Sequence, residues 1–399
     1  MLQAVIDAGP ERLGSCRFDV LTTYPDTDRI EPPRGGPGAE VHVVAASPVT
    51  MILNLPLALL AWLLGLVGGP KRLLCRTASL RALLDADVVV DVSGIAYSDG
   101  RGLPTLVYNT LITGIPLLLG KRVVKCSQAL GPFEERANRT VAEAVLSRCA
   151  VVCPRGARTE QLVADLGIET RTTIVPAADL AFLMKVTDDE RARAEALIAR
   201  AVGEGPLVAM MPSVVVERQS EKVGIDYVGL VAQLIDEAIS RSGARVLLVP
   251  HSSRPDDSPG RMNDRPICRA VHSRITEKGG CTLIDESLPP GVLRAVIERS
   301  DVTVTSRFHA MISSLATSTP VLVVGWSHKY LEVLAEFDLE EWVIDFSRAT
   351  VGDLSERLDD LLSRAPEVRR SISTNLPAVE ARSARNLDAI EIGLGPRPG

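Results

Sequence analysis

Arg307 and His309 are the two residues whose types and spacing most directly suggest chemistry. They follow the run 301–305, in which valine and threonine residues predict a short buried strand. Apolar residues then recur every three or four positions, which predicts that a helix begins near position 307. Ligands of open α/β sheets bind where strands end and helices begin, and the positive end of a helix attracts anions. We therefore expect Arg307 and His309 to lie in a site for a small, highly charged anion.

Three further residues could complete this anion site. Lys329 follows the next apolar run, at the beginning of another helical pattern. Because neighbouring parallel strands end side by side, Lys329 and Arg307 can converge on one anion. His328 is adjacent to Lys329, and Arg155 follows the predicted strand 150–153 in the first half of the chain, from which it could close the site. A helix cap or a surface salt bridge is the structural alternative for each of these side chains.

Composition and charge disfavour several functions. The 44 basic and 50 acidic residues give a net charge of 44 − 50 = −6, so no global positive field would attract nucleic acid. Aromatic residues make up 4% of the chain, which argues against base stacking on single strands. The seven cysteines form no C-x-x-C pair, and the sequence shows no cluster of metal ligands. We therefore expect reduced thiols, no metal site, and a local cluster of cations for any anionic substrate.

Strand and helix patterns alternate along the chain, which predicts an α/β protein with parallel sheets. A charged helix and a Gly-Glu-Gly-Pro turn interrupt the alternation, so we place a domain boundary near 185–205. The interpretation is two Rossmann-like lobes facing a cleft, 1–185 and 205–365, followed by a C-terminal helix and disordered tail over 366–399. No G-x-G-x-x-G motif follows a strand and no P-loop motif occurs, so a dinucleotide or P-loop site is not predicted.

The segment 51–69 carries no charge and is followed closely by Lys71 and Arg72. Three interpretations of it stay open: a helix of the core, a helix lying in a membrane interface, and a membrane span. The second would give the protein a peripheral membrane contact. The chain opens on a helical pattern, whereas an α/β domain usually opens on a strand, so we expect a first strand to be missing from this sequence.

Five blocks of the sequence, taken together, resemble the polysaccharide pyruvyl transferase family. The strongest block contains Arg307 and His309 and continues to Pro320 and Lys329, which is similar to the family's R-[LF]-H-A…P…K signature. The other blocks are the strand end 87–94, the loop 126–133, the segment 152–167 and the turn 175–182. The chain departs from the family pattern at Ser93, Gly156 and Thr159, and it lacks the strand and Gly/Asn-rich loop that usually open the family. The resemblance covers nearly the whole chain and implies a GT-B-like fold.

The resemblance implies transfer of a pyruvyl group from phosphoenolpyruvate to two sugar hydroxyls, with formation of a cyclic ketal and release of phosphate. The acceptor would be a cell-surface polysaccharide or its lipid-linked precursor, and phosphoenolpyruvate would be the co-substrate, with no further cofactor. Its phosphate and carboxylate call for arginine and lysine, so the donor-binding candidates are Arg307, Lys329, Arg155 and His328. His309 would be catalytic together with Arg307, because an imidazole can accept and return protons near neutral pH.

Polar residues at strand ends of the first lobe are the candidates for holding the sugar acceptor. Carboxylates, hydroxyls and amides hydrogen-bond sugar hydroxyls, and five such residues lie at or after predicted strand ends: Asp91, Ser93, Asp99, Ser127 and Gln128. Turn formation and helix capping are the alternatives for each. In the second lobe, His251 follows the predicted strand 245–249 and is a further candidate for ligand contact.

Two other functions stay open at this point. The same architecture could serve a GT-B-type glycosyltransferase or sugar-nucleotide epimerase, in which the cations would bind a diphosphate. A non-catalytic scaffold at the membrane surface is the second alternative, and the apolar segment 51–69 favours it. We expect a cytoplasmic protein, with a position at the inner face of the membrane left open.

Overall fold

The computed structural model describes residues 1–30, 32–253, 263–325 and 328–396, and the chain divides into two compact units. The first unit comprises Met1–Met184 together with Glu380–Gly399, and the second comprises Lys185–Val379. The C-terminal helix is continuous across this division, since it runs from Ala365 to Leu394. Each unit is built around a parallel sheet and is described by itself below.

The first unit contains seven helices and seven strands in its described part before the C-terminal helix. The helices are α1 (Leu2–Leu13), α2 (Pro25–Ile30), α3 (Pro48–Leu66), α4 (Ala78–Asp85), α5 (Leu103–Leu118), α6 (Arg136–Leu146) and α7 (Ala157–Ala164). The strands are β1 (Cys16–Thr22), β2 (Ala39–Ala45), β3 (Val89–Asp91), β4 (Ile95–Ala96), β5 (Val123–Leu130), β6 (Val151–Pro154) and β7 (Thr173–Ile174). Strands β1 and β2 form a parallel pair, and the main sheet has the order β3-β5-β6-β7 with β4 paired to β5.

The main sheet of the first unit is buried on both faces. Successive residues of β5 point to opposite sides, so Val124 packs with Ala4 of α1 and Ile390 of the C-terminal helix. Val123 packs on the other side with Leu146 of α6. A parallel sheet covered on both faces needs apolar residues in both directions, which explains its valine runs.

Helix α3 closes a further apolar core in the first unit, together with α4 and α5. Ser47 caps its first turn by accepting a hydrogen bond from the Thr50 N–H at 3.2 Å, and Pro48 occupies its first position. Within the described residues, α3 is the one helix long and apolar enough to cross a membrane, with a mean hydropathy of 2.1. One side of α3 is buried in the core and the other is exposed.

The second unit has a six-stranded parallel sheet with the order β10-β9-β8-β11-β12-β13. Its strands are β8 (Leu207–Met211), β9 (Arg245–Leu248), β10 (Cys281–Leu283), β11 (Val302–Thr305), β12 (Val321–Gly325) and β13 (Val343–Asp345). Its helices are α8 (Asp188–Ile198), α9 (Val214–Lys222), α10 (Tyr227–Ser242), α11 (Arg265–Arg274), α12 (Pro290–Glu298), α13 (Phe308–Ala316), α14 (His328–Ala335) and α15 (Val351–Ser363), before α16 (Ala365–Leu394). This strand order is the one of the Rossmann fold.

The charged helix α8 belongs to the second unit, although its sequence pattern suggested the boundary region. Ala194 and Leu197 are its buried residues, and they pack on α12 in the core of the second sheet. A small number of apolar positions is enough here because α8 covers the core with one narrow stripe. The predicted strands 150–153, 245–249 and 301–305 correspond to β6, β9 and β11, whereas no helix was predicted at α2, α4 or α9.

The contact of Gly205 with the Gly243 carbonyl predicts a strong local packing constraint just before β8. A Cβ atom at Gly205 would lie 2.0 Å from the Gly243 oxygen, which belongs to rigid backbone. We expect Gly205→Ala to lower the free energy of unfolding by about 1–3 kcal/mol, measured by urea denaturation. Gly279→Ala is the matched control, because no atom lies within 4 Å of its Cβ position and its cost should stay below about 0.5 kcal/mol. Equal costs for the two variants would contradict this packing.

Candidate active site

The strand order of the second sheet creates a switch point between β8 and β11. From β8 the chain proceeds outward to β9 and β10, and from β11 it proceeds the other way to β12 and β13. Such a reversal leaves a crevice at the carboxyl ends of the two central strands, and ligands of open α/β sheets bind there. Arg307 follows β11 after one intervening residue, Ser306, and is the N-cap residue of α13, so it lies at this switch point.

Arg307 forms a two-pronged ion pair with Asp264. Its Nε donates to Asp264 Oδ2 at 2.7 Å, and its Nη2 donates to Asp264 Oδ1. The Asp264 side chain is fully buried and that of Arg307 is 13% exposed. A bidentate pair fixes the plane of the guanidinium as well as its position. The arginine predicted to bind an anion is therefore held by a carboxylate that was not among the predicted site residues.

Asp264 also joins two other segments of the switch point. Its Oδ1 accepts the backbone N–H of Val214, at the start of α9, at 3.0 Å. Its Oδ2 accepts the backbone N–H of Ser252, which follows β9, at 3.0 Å. The segments after β8, β9 and β11 are thus tied to one carboxylate. A buried carboxylate with four donors is compensated for its loss of hydration.

Two tyrosines hold the backbone immediately before Arg307. Tyr330 donates a hydrogen bond from its hydroxyl to the Ser306 carbonyl at 3.0 Å. The Tyr227 hydroxyl lies 2.6 Å from Ser306 Oγ, and the Arg307 N–H donates to Thr305 Oγ1 at 2.9 Å. Both tyrosine side chains are buried, and burial raises the pKa of Tyr330 to about 12. The hydroxyls are therefore neutral at pH 7, and their hydrogen bonds hold the backbone at the end of β11.

The side chains of His309 and Lys329 both contact the ring of Phe308, which follows Arg307 in the sequence. The His309 imidazole packs edge-on against this ring, with 5.5 Å between centroids and an interplanar angle of 80°. Lys329 Nζ lies 4.9 Å from the centroid of the same ring, in cation–π range. His309 is exposed and Lys329 is half-buried. Two predicted residues, from two neighbouring strand ends, thus lie against one aromatic ring next to Arg307 in the sequence.

His251 lies within the electrostatic reach of this cluster. Burial lowers the pKa of His251 to about 3, and three nearby side chains add to the shift through the positive charge they carry when protonated: His309, Arg307 and Arg294. Arg294 is a buried residue of α12 whose Nε lies 3.4 Å from Ser313 Oγ. An imidazole with such a low pKa is neutral at pH 7 and can exchange hydrogen bonds without adding charge. The backbone of His328 begins α14, whereas its side chain lies outside the described residues.

In the first unit, Asp91 and Lys125 form the centre of a buried polar network at the end of β3. Lys125 Nζ lies 2.5 Å from Asp91 Oδ2 and donates to Thr113 Oγ1 at 3.1 Å. Burial alone would raise the pKa of Asp91, but the Lys125 ammonium and its hydrogen bonds hold that pKa below its usual value. Ser93 donates to Asp91 from its backbone N–H at 2.9 Å and also from its hydroxyl.

Ser127 and Gln128 belong to the same strand end. Ser127 has a φ of 46° and lies where the pairing of β5 with β6 changes register. Its hydroxyl donates to the Ala178 carbonyl at 2.8 Å. Gln128 Nε2 donates to Ser93 Oγ at 3.0 Å, and Gln128 Oε1 has no hydrogen-bond partner among the described residues. Irregular strand ends of this kind re-aim side chains near functional sites.

Asp99 positions Asn138 beside a small pocket of about 170 Å³. The Asp99 carboxylate accepts the backbone N–H groups of Glu134 and Glu135 at 2.6 and 3.2 Å, and Asn138 Nδ2 at 2.5 Å. Tyr97, Leu103, Asn109, Glu135 and Asn138 are among the residues that line the pocket. Asn138 is buried, and within the described chain its Oδ1 has no donor. Asn138 is a site residue that sequence reasoning missed, because an asparagine inside a helical pattern carries no distinctive signal.

Arg155, which was predicted to bind the donor, forms a buried ion pair with Asp179. Its Nη1 lies 2.5 Å from Asp179 Oδ2, and the side chains of the two residues are only 8% and 1% exposed. Asp179 Oδ1 also accepts the Ala181 N–H at 2.9 Å. This buried pair holds the turn after β7 to the end of β6. Breaking a buried ion pair is costly, so Arg155 could contact a donor only while it stays paired with Asp179.

Comparison with known proteins identifies the family. The profile described as polysaccharide pyruvyl transferase matches residues 18–328, which is more than half of the chain. The chain belongs to the polysaccharide pyruvyl transferase family. It is therefore a transferase, with a pyruvyl transfer role in polysaccharide biosynthesis. The amylovoran biosynthesis protein AmsJ of Erwinia amylovora is 22% identical to this transferase over 294 residues, which cover 72% of this chain and 68% of AmsJ.

The solved structures similar to this transferase confirm the GT-B-like α/β fold. One is a protein of Listeria monocytogenes described as a UDP-N-acetylglucosamine 2-epimerase: the match covers 100% of this chain and 93% of that protein, with a TM-score of 0.57 and 14% identity. Another is the Neisseria meningitidis UDP-GlcNAc 2-epimerase, solved with UDP-GlcNAc: the match covers 94% of this chain and 99% of that protein, with a TM-score of 0.55 and 12% identity. At such low identity the likeness concerns the fold alone.

The buried Asp264–Arg307 pair predicts a large stability effect in this transferase. Asp264→Asn keeps the size of the side chain but leaves the Arg307 charge uncompensated, so we expect a loss of about 3–5 kcal/mol in the free energy of unfolding. The matched control is Asp226→Asn, because Asp226 pairs with Arg274 at 2.6 Å but both side chains are exposed. That variant should cost below about 1 kcal/mol in urea denaturation. Equal losses in the free energy of unfolding for the two variants would contradict the burial of the Asp264–Arg307 pair.

The low pKa of His251 predicts a pH dependence of stability. The unfolded chain binds a proton at this histidine below about pH 6.5, whereas the folded chain stays neutral until about pH 3. Stability is therefore complete above the unfolded pKa and falls as pH decreases through this window. Between pH 7 and pH 5, wild type should lose about 2 kcal/mol more than His251→Gln. His42→Gln, at the exposed His42, is the control that should keep the wild-type slope.

Proposed function

We propose that the chain transfers the pyruvyl group of phosphoenolpyruvate to two hydroxyls of a saccharide, forms a cyclic ketal and releases phosphate. The observation that carries this proposal is that His309 and Lys329 both pack against Phe308, the residue after Arg307, at the switch point of the second sheet. Membership of the polysaccharide pyruvyl transferase family supports the pyruvyl group as the unit transferred. The name of AmsJ, an amylovoran biosynthesis protein, supports a polysaccharide as the product.

The donor carries a phosphate and a carboxylate, and the second unit offers cations suited to both. Arg307 has its guanidinium plane fixed by Asp264, so it presents hydrogen-bond donors in a set direction. Lys329 supplies a point charge from the neighbouring strand end. The N-terminus of α13 adds the positive end of a helix dipole. Asp264 neutralises part of the Arg307 charge, which makes Lys329 an important contributor to anion affinity.

The proposed chemistry involves four proton movements, two losses and two gains, and His309 is the candidate residue for them. The donor methylene carbon gains a proton and becomes a methyl group, which leaves an oxocarbenium-like centre at the neighbouring carbon. One sugar hydroxyl attacks this carbon, the carbon–oxygen bond to phosphate breaks, and a second hydroxyl closes the ketal. The two hydroxyls lose two protons, of which one balances the new methyl group and the other leaves with phosphate. The exposed imidazole of His309 can carry these protons.

The acceptor fits the small pocket of the first unit. Its volume of about 170 Å³ lies below the ~300–1,000 Å³ of drug-sized ligand sites, which suits a single sugar residue. Asn109, Glu135 and Asn138 line this pocket, and their amide and carboxylate groups can hydrogen-bond sugar hydroxyls. In this proposal Asp99 positions Asn138, whereas Asp91, Ser93, Ser127 and Gln128 support the adjacent strand ends. Arg155 is left out of the donor site because it is paired with Asp179.

The removal of His309 tests the proposed chemistry. Phosphate release from phosphoenolpyruvate is measured with the host's own surface polysaccharide as acceptor, after mild acid has removed its pyruvate. His309→Ala should reduce this rate by about 10²–10⁴-fold, the usual contribution of a general acid–base group. Its melting temperature should change little because His309 is exposed.

His42→Ala is the matched control for His309→Ala. His42 is an exposed histidine of β2 in the first unit, and it pairs with Glu40 at 2.9 Å. This variant should keep the wild-type rate of phosphate release. Wild-type activity in His309→Ala, or the absence of phosphate release by the wild type with this acceptor, would refute the proposed role.

A further inference from the structure

We propose that α3 lies in the plane of a membrane and docks the first unit on an anionic lipid surface. The outward side of α3 is an apolar face, formed by exposed side chains at helical spacing: Val49, Ile52, Leu53, Leu60, Leu63, Leu66 and Val67. Leu53 is 67% exposed and Val67 is 80% exposed. Contiguous apolar surface of this kind marks an interaction site in a folded protein.

The polarity of α3 is inverted relative to a helix on a water-facing surface. Asn54 is the only residue from Met51 to Leu66 with an amide, a hydroxyl or a charge, and it points into the core. Its Nδ2 donates to Ser79 Oγ at 2.8 Å, and its Oδ1 accepts the Thr77 hydroxyl at 2.9 Å. Helices that face water place polar residues outward. The fold therefore uses the polar residue internally and leaves an outer face suited to a non-aqueous surrounding.

The exposed apolar surface continues beyond α3. Leu73 follows α3 and is 61% exposed, while Leu103 and Val107 lie exposed in the first turns of α5, which packs against α3. Trp62 is also partly exposed on α3, and tryptophan is enriched at membrane interfaces. Leu103 in addition lines the small polar pocket, so a bilayer in contact with this surface would border that pocket.

Positive charge flanks the apolar face. Lys71 packs its stem at Gly65 of α3, and its Nζ donates to the Leu119 carbonyl at 3.0 Å. Arg72 is 78% exposed and pairs with Asp85, while Arg76 is exposed as well. The segment 48–69 itself carries no charge. An uncharged apolar helix with basic residues beside it matches the boundary between lipid tails and anionic headgroups.

The packing of α3 favours an in-plane position over a span. Ala46 precedes α3 and Cys75 follows it, and both belong to the same apolar core as Ala58 and Ala61 in the middle of the helix. The chain thus returns to one core at both ends of α3. A span would remove Ala58 and Ala61 from that core, whereas an in-plane helix keeps one side on the protein and the other in lipid.

Vesicle flotation tests the proposal without any substrate, so its result is independent of the proposed chemistry. The probes are vesicles of equal parts phosphatidylglycerol and phosphatidylcholine, and vesicles of phosphatidylcholine alone. Wild type should float with the anionic vesicles. The variant Ile52→Ser/Leu53→Ser/Leu60→Ser/Leu63→Ser should lose this binding by about tenfold or more. It should remain folded by circular dichroism, because the four side chains are exposed.

Two further variants separate the apolar and the electrostatic contributions. Val202→Ser/Val223→Ser replaces exposed apolar side chains of the second unit and should bind vesicles as wild type does. Arg72→Gln/Arg76→Gln should weaken binding to the anionic vesicles by about fivefold per residue, the equivalent of ~1 kcal/mol each. The same double variant should leave any binding to phosphatidylcholine vesicles unchanged.

Three results would overturn the proposal. Failure to recover wild type with either vesicle would contradict it, and so would flotation of the serine variant to the wild-type extent. A protein that resists extraction from membranes by alkaline carbonate would span the bilayer instead. Light scattering without lipid tests whether a second copy of the chain covers the apolar face instead. In that case wild type binds no vesicle and forms a dimer, whereas the serine variant is a monomer.

Discussion

The Asp264 carboxylate is the interaction on which the geometry of the second unit's strand ends depends. It receives two donors from Arg307 and one backbone N–H each from Val214 and Ser252. Three loops that follow β8, β9 and β11 are thereby fixed to one buried atom group. Because a buried carboxylate must be fully compensated, small movements of any one loop would leave a charge or a donor unpaired. This requirement makes the switch point rigid and gives Arg307 a set direction for anion binding.

The first unit also buries two opposite charges, in the ion pair between Lys125 and Asp91. Lys125 is a residue of the central strand β5, and Asp91 ends the neighbouring strand β3. Each charge makes the burial of the other tolerable: burial alone would lower the pKa of Lys125, and Asp91 raises it above its usual value. The hydroxyl and amide groups around them complete the network. The acceptor-side candidates thus have structural partners, whereas Asn138 Oδ1 has no hydrogen-bond partner among the described residues.

Local patterns predicted the α/β fold class and the positions of three candidate residues at strand ends. Arg307, His309 and Lys329 follow strands and open helices, so periodicity alone located them. Asp264 could not be found in this way, since its partners lie far apart in the sequence and its position before α11 suggests only a helix cap. Helix α9 was missed because its first residues, three valines, favour a strand by intrinsic propensity. Its start depends on Ser213 and on the distant Asp264. Arg155 had the same local pattern as Arg307, and only tertiary structure reveals its buried partner.

Binding of phosphoenolpyruvate by Arg307, His309 and Lys329 can be measured by calorimetric titration of wild type and two variants. Lys329→Met removes one cation from the cluster, and Lys222→Met removes an exposed lysine of α9 as the matched control. We expect wild type and Lys222→Met to bind phosphoenolpyruvate with equal affinity. Lys329→Met should bind it about tenfold or more weakly. Equal affinity in all three proteins, or tight binding of UDP-N-acetylglucosamine with no response to phosphoenolpyruvate, would contradict this expectation.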